Sequence, residues 1–469
     1  MLQTNKILTF FSLWLLILLL VIVFIAAIPF GNFQRSDFGV YLTFFVNGFL
    51  WTLLLIKEVK KYSFSLMMIH WSFCLLFFFF AAIIQYSNNV FPWVNYLSDD
   101  ILTKTNLYLT CWTFFVIIGN LFVNEKGYMI HNLSYIKKSN KIFILTISLT
   151  LFSIFIMFYR INEIGFINLF SRATSGISYS ENSSITLLLG KILQSISYFA
   201  VIFSFINKKL NKKGSIFVFI SSLSLLISFF PTSLARNTTG VIYLGLLLTL
   251  SKTLKTNKLF IILFLGAFLI LFPFLNAFRN ISFYNVSITQ SILNVFNNLS
   301  IVWLAGDYDA YTMLNLVIDY IHINSITFGY QLLGVVLFFI PRIFWMSKPI
   351  GSGAFIAENY NWNFTNVSCP LPAESLINFG FIGLIIFGIL IGFIAKKLDL
   401  FYWENIDISG KQINNFELIY PVILMFFFFM CRGDLLSSTA YMMAYIFVWF
   451  ILIKILNINI LQLKKYNKK

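Results

Sequence analysis

A chain of 469 residues that is 59% hydrophobic and only 11% charged cannot fold as a water-soluble globule, for which about 45–50% apolar and about 25% charged is usual. A net charge of +16 would suggest nucleic acid in a soluble protein, but here the lysines sort with membrane topology, so no nucleic-acid partner is expected. The sequence holds no HExxH, CxxC pair, P-loop or GxSxG serine, which leaves metalloprotease, ATPase and serine-esterase readings without support.

Hydrophobic runs recur along the whole chain, predicting an all-α polytopic membrane protein in which residues 1–469 form one integral membrane domain. The first, Leu8–Pro29, is long enough to cross a bilayer and lacks a small-residue cleavage site after it, so it reads as a retained span. Val40–Ile56, Leu66–Gln85, Leu107–Val123, Ile142–Phe158, Thr186–Ile206, Ser215–Phe230, Thr238–Leu250 and Leu259–Leu275 follow. Leu376–Ala395, Glu417–Cys431 and Leu436–Asn457 bring the total to about twelve, with several runs borrowing a turn from their flanks.

Lysines fix the orientation. They cluster in alternate connections (Lys57, Lys60 and Lys61; Lys137, Lys138 and Lys141; Lys208, Lys209, Lys212 and Lys213; Lys252, Lys255 and Lys258; Lys396 and Lys397) and in the tail, placing both termini in the cytoplasm. The basic residues left outside are Lys104, Lys191, Lys348 and every arginine: Arg35, Arg160, Arg172, Arg236, Arg279, Arg342 and Arg432. Arginine binds phosphate or carboxylate through a planar two-toothed fork, so its confinement to one side needs a reason beyond topology. Arg35 and Arg160 are expected to pair with acids. Arg236 and Arg432 lie in very short external turns, where a cation at the hydrocarbon boundary needs a partner; Asp434 is the nearest candidate to neutralise Arg432. Lys191 is the charge well inside a span, near its outer end.

Parity makes residues 276–375 one large external (periplasmic) loop of about 100 residues between the ninth and tenth spans, and loops of that length are usually functional or disordered. Residues 329–344 within it are apolar and read as a re-entrant or interfacial helix ending at Pro341. The Pro341–Gly380 stretch then gathers Arg342 and Lys348 around Trp345, four prolines, Gly351-Ser352-Gly353, Trp362, Glu358 and Glu374. Cys369 and Cys431 face the same side, but nothing in the sequence pairs them.

The order Pro341-Arg342, Trp345, Lys348-Pro349, Gly351-Ser352-Gly353, Asn366-Val367-Ser368, Pro370, Ala373-Glu374, Asn378-Phe379-Gly380 and Gly383, with the upstream run Gly306–Tyr311 and Phe328–Leu333, resembles the Wzy-type O-antigen polymerases of bacterial envelopes. That resemblance covers 306–383; elsewhere it is one of hydropathy and span number. It implies a GT-C-like membrane glycosyltransferase of the inner (cytoplasmic) membrane. Such an enzyme transfers a growing glycan from undecaprenyl pyrophosphate onto a new lipid-linked oligosaccharide repeat unit, in lipopolysaccharide or other polysaccharide biosynthesis. No cofactor is required, because the glycosyl-pyrophosphate bond already carries the energy. A flippase and a chain-length regulator are the implied functional partners. On this reading Arg236, Arg279, Arg342, Lys348 and Arg432 hold the lipid pyrophosphate. Glu374 is the favoured general base, with Arg342 assisting departure of the pyrophosphate and Glu358, Asp307 and Asp309 as reserve acids. Glu374 as a salt-bridge partner of an arginine has equal weight. Asp307-Tyr-Asp309 also matches a metal-binding DxD superficially, but no metal site is assigned. The rival readings are an O-antigen ligase, which shares the donor, and a polysaccharide transporter or flippase, which predicts internal repeats that the chain does not show.

Overall fold

Leu66–Ser87 is apolar on every side, and a helix without a polar face is stable only when other elements surround it. In a computed structural model of the protein it is the central helix, with its candidate spanning window wholly buried. The structure describes residues 34–124, 135–136, 139–170, 184–211, 214–268, 289, 302–407 and 413–456. Around the central helix pack Phe38–Lys61, Leu371–Asn405, Phe416–Arg432 and Ala310–Ile323. A second group, Asn140–Ile164, Ser184–Asn211 and Ser215–Ser228, joins the first through Leu435–Ile455. No β-ladder occurs among the described residues beyond the isolated bridges Phe91–Val94 and Tyr135–Asn414.

Seven described helices are long and apolar enough to cross a membrane. Their outward faces carry bare apolar side chains, among them Phe155, Phe158, Leu151 and Ile144, each about 60% exposed, as lipid contact requires. Several other expected spans are helical but short: Ser215–Ser228 has 14 residues, and 236–250 is helical with a π segment at Gly240–Leu244. The first run, Leu8–Pro29, the end of the ninth run and most of 276–301, Arg279 included, lie outside the described residues.

The bundle has two chemically distinct ends. At one, Lys255 pairs with Glu417 at 3.3 Å, Ser63 donates to the Lys255 carbonyl and Lys258 donates to the Val59 carbonyl. Buried Asp399 caps the central helix there by accepting from the backbone N–H of Leu66 and Met67. The connections that the lysine pattern groups on one side thus meet at one end. At the other end lie the turns carrying Arg236 and Arg432, together with the segment around Gly306.

The described part of the long loop packs into the bundle: Ala310–Ile323 is mostly buried, with Tyr311 bonded to Asn106 and Asn315 to Thr105. Asp99–Leu121 begins eight residues ahead of the expected Leu107, and those extra turns supply the packing partner. Helix also ends sooner than expected after Gly329, spanning only Tyr330–Val336. Beyond it the Lys348 ammonium takes the Phe338 and Ile340 carbonyls at 2.6 and 2.9 Å, and Pro341 supplies no N–H to continue a helix.

The tenth run is longer than expected and broken. Leu371–Asn405 is interrupted at Phe379 and Gly380, the latter at φ +59 and ψ −146, a conformation open to glycine. The carbonyls freed there, Ile377 and Asn378, accept from the N–H groups of Thr327 and Gly329. Below the break this helix lies directly on Asp99–Leu121. A Cβ on Gly119 would stand 2.1 Å from the Ile389 carbonyl oxygen, and one on Gly392 would stand 2.1 Å from that of Val116. Small residues here let two backbones touch. Gly119→Leu is therefore expected to push the pair apart at a cost of about 1–3 kcal/mol or more. It should appear as a lowered melting temperature of the detergent-solubilised protein.

Candidate functional site

The short turn Gly306–Tyr308 is pinned from beneath. Gln85, near the end of the central helix and fully buried, donates to the carbonyls of Trp303 and Tyr308 at 2.9 and 3.0 Å. The Tyr308 ring is buried against Phe77 and Trp303, which turns Asp307 and Asp309 toward the neighbouring elements. Burial holds the Tyr308 phenol above its usual range, so it stays neutral.

Each carboxylate meets an arginine from a distant turn. Asp307 pairs with Arg236, at the start of 236–250. Asp309 is 0% exposed and accepts from Arg432 at 3.3 Å, from the Trp93 indole N–H at 3.0 Å and from the Ser368 N–H at 3.2 Å. Arg432 also reaches the Asp307 carbonyl with Nε at 3.0 Å and the Gly306 carbonyl at 3.4 Å, so its fork spans the whole turn. A carboxylate this deeply buried requires such donors. The arginines keep 22% and 29% of their side-chain surface open.

Four of the residues singled out by sequence, Arg236, Arg432, Asp307 and Asp309, thus form one cluster. Asp434 does not neutralise Arg432: it caps Leu435–Ile455 by accepting from the Ser437 N–H at 2.7 Å, and burial raises its pKa. Arg35 and Arg160 do pair with acids, Asp99 and Glu163. The carboxylates of the DxD pattern both face guanidinium groups.

The other candidates make their hydrogen bonds to groups outside that cluster. Arg342 is exposed and donates to the carbonyls of Lys348 and Pro349 at 2.6 and 3.2 Å, while buried Lys348 holds the loop from within. Burial and the adjacent Arg342 lower the Lys348 pKa. Both cations therefore brace the 338–349 turn, and Gly351, just beyond it, packs against the Asp434 carboxyl. Glu374 is 1% exposed, and each of its oxygens is engaged: one accepts from the Leu435 N–H at 2.8 Å, the other from the Ser352 hydroxyl at 2.6 Å. It ties together the starts of three helices, Ser352–Asn359, Leu371–Asn405 and Leu435–Ile455, rather than an arginine. Glu358 lies exposed on the first of these. Cys369 and Cys431 are both buried free thiols.

Two residues of the site were not among the sequence candidates. Lys191 lies 3.0 Å from the Thr238 hydroxyl and 3.3 Å from the Gln194 carbonyl oxygen, and 4.8 Å over the Tyr441 ring. These partners are neutral, and Thr238 places the amine beside the Arg236 turn. Its position inside a span was the available signal. Trp93 gave none, since only its contact with Asp309 distinguishes it. No family model, curated protein or solved structure matches the chain, so the geometry of this site is what bears on its function.

Proposed function

We propose that the chain is a membrane glycosyltransferase that polymerises undecaprenyl-pyrophosphate-linked oligosaccharide repeat units at the outer face of the inner membrane. About twelve crossings and cytoplasmic termini are part of this reading, as the alternation of lysines implies. The observation that carries it is the meeting of Arg236 and Arg432 at the Asp307–Asp309 turn, with Lys191 beside Thr238. A pyrophosphate on a lipid would bring its anion to just this kind of boundary, where each guanidinium, already paired with an aspartate, keeps 22% or 29% of its side chain open to a further anion.

In the reaction an acceptor hydroxyl attacks the anomeric carbon of the donor glycan. The new C–O bond forms as the bond to the pyrophosphate oxygen breaks. The arginines stabilise the charge that collects on the departing pyrophosphate. The hydroxyl proton passes to a carboxylate, for which Asp307, with 17% of its side chain open, is better placed than buried Glu374. Arg342 and Lys348 support the site by fixing the loop that packs on Asp434.

Deleting the gene and resolving the surface polysaccharide on a gel tests this. A product of single repeat units is expected. Complete loss of attached glycan would instead identify a ligase, and an unchanged ladder would exclude both.

A further inference from the structure

A row of aromatic rings runs away from the arginine–aspartate cluster along the outer surface. Trp93, bonded to Asp309, lies 4.6 Å from Phe364 between ring centres; Phe364 stacks on Trp362 at 5.3 Å and 18°, and Tyr360 follows at 6.0 Å. Trp93 is 39% exposed and Phe364 40%. The chain segments that carry the row, 88–98 and 360–370, lie between helices and outside every candidate span. Large rings left open in this way mark a contact surface.

The backbone is bent to present them. Trp93 follows Pro92 in the Phe91–Val94 turn and adopts φ +72, a value that such turns normally give to glycine. Its ring is wedged so tightly on Gly306 that a Cβ there would lie 2.1 Å from it. Asn361, opening the second segment, is also left-handed at φ +55. Strain of this kind persists where surrounding contacts impose it, and it gathers at working sites.

We propose that this shelf is a carbohydrate subsite, on which successive sugar rings of the acceptor glycan lie as its terminal hydroxyl reaches Asp307. The polar side chains decide between sugar and acyl chain. Asn361, Asn363, Thr365 and Asn366 lie in the same short segment as the rings and are all exposed, so amides and a hydroxyl stand close to a ligand whose C–H groups meet the rings. An acyl chain would leave those groups without partners. The identity of the glycan as an acceptor rests on the polymerase reading; the binding of sugar by the shelf does not.

The test uses full-length protein in detergent and the repeat-unit oligosaccharide released from the host's lipid carrier by mild acid, with binding followed by calorimetry. Trp362→Ala and Phe364→Ala are expected to weaken binding at least tenfold, and Trp362→Tyr to restore most of it. Equal binding by wild type and both alanine variants, or no binding by wild type, overturns the shelf. A component of fluorescence quenching by brominated acyl chains that Trp362→Phe removes, leaving that of the other tryptophans, would show lipid on the shelf and overturn it too. None of these outcomes bears on the ladder assay, which alone decides the polymerase reading.

Discussion

Replacing Arg432 by lysine is expected to reduce the polysaccharide ladder to one or a few repeat units while the protein remains folded and in the membrane. Lysine keeps one positive charge near Asp309, so the buried carboxylate retains a counter-ion. It cannot, however, reach Asp309, the Gly306 carbonyl and the Asp307 carbonyl together, as the planar fork does. Removing a preorganised donor to developing charge typically lowers rate by about 10²- to 10³-fold. Arg432→Ala should go further and destabilise the fold by about 3–5 kcal/mol, because it leaves Asp309 charged and buried without its ion-pair partner. Chain-length distribution on a gel, read beside protein level in membranes, separates the two effects. A normal ladder from Arg432→Lys would remove the fork from the mechanism.

Glu374 offers the second large effect, and its substitutions distinguish two roles. As a general base it would be lost in Glu374→Gln as surely as in Glu374→Ala. As the tie between helix starts it behaves differently. Alanine orphans the Leu435 N–H and the Ser352 hydroxyl in a buried setting, at about 1–3 kcal/mol each. Glutamine keeps an acceptor for the Leu435 N–H, and the Ser352 hydroxyl can rotate to accept from the new amide. The expected result is therefore a low melting temperature and little protein for Glu374→Ala, but a near-normal ladder for Glu374→Gln, with a stability loss of about 1 kcal/mol. A folded Glu374→Gln protein with no ladder would return the base role to Glu374.

Arg342 and Lys348 show how one local pattern serves two uses. The alternation of cation, tryptophan and proline between Pro341 and Pro349 marked the stretch as special, and the structure shows both cations engaged there. Their partners, however, are carbonyls of the same turn, six to ten residues away in sequence. A Pro-braced turn leaves carbonyls without helical partners, and nearby cations satisfy them. The residue types are those a phosphate site would use, so composition does not separate the two uses. Glu374 poses the same problem in reverse: a carboxylate in a conspicuous motif proves to be committed to helix N–H and hydroxyl donors.

Sequence alone determined the helical class, the placement of most described helices and the sorting of connections to two ends, because hydropathy and lysine alternation act within a single span and its flanks. It also marked Arg236 and Arg432, since a cation in a short external turn conflicts with a local rule. Only tertiary structure decided where those cations point. Arg236 and Asp307 are 71 residues apart, Arg432 and Asp309 are 123 apart, and Trp93 reaches Asp309 across 216. Such pairings depend on how the Gly306 turn settles on Gln85 and how the Phe379–Gly380 break redirects the chain. Both are products of packing between helices, which no periodicity within one helix encodes.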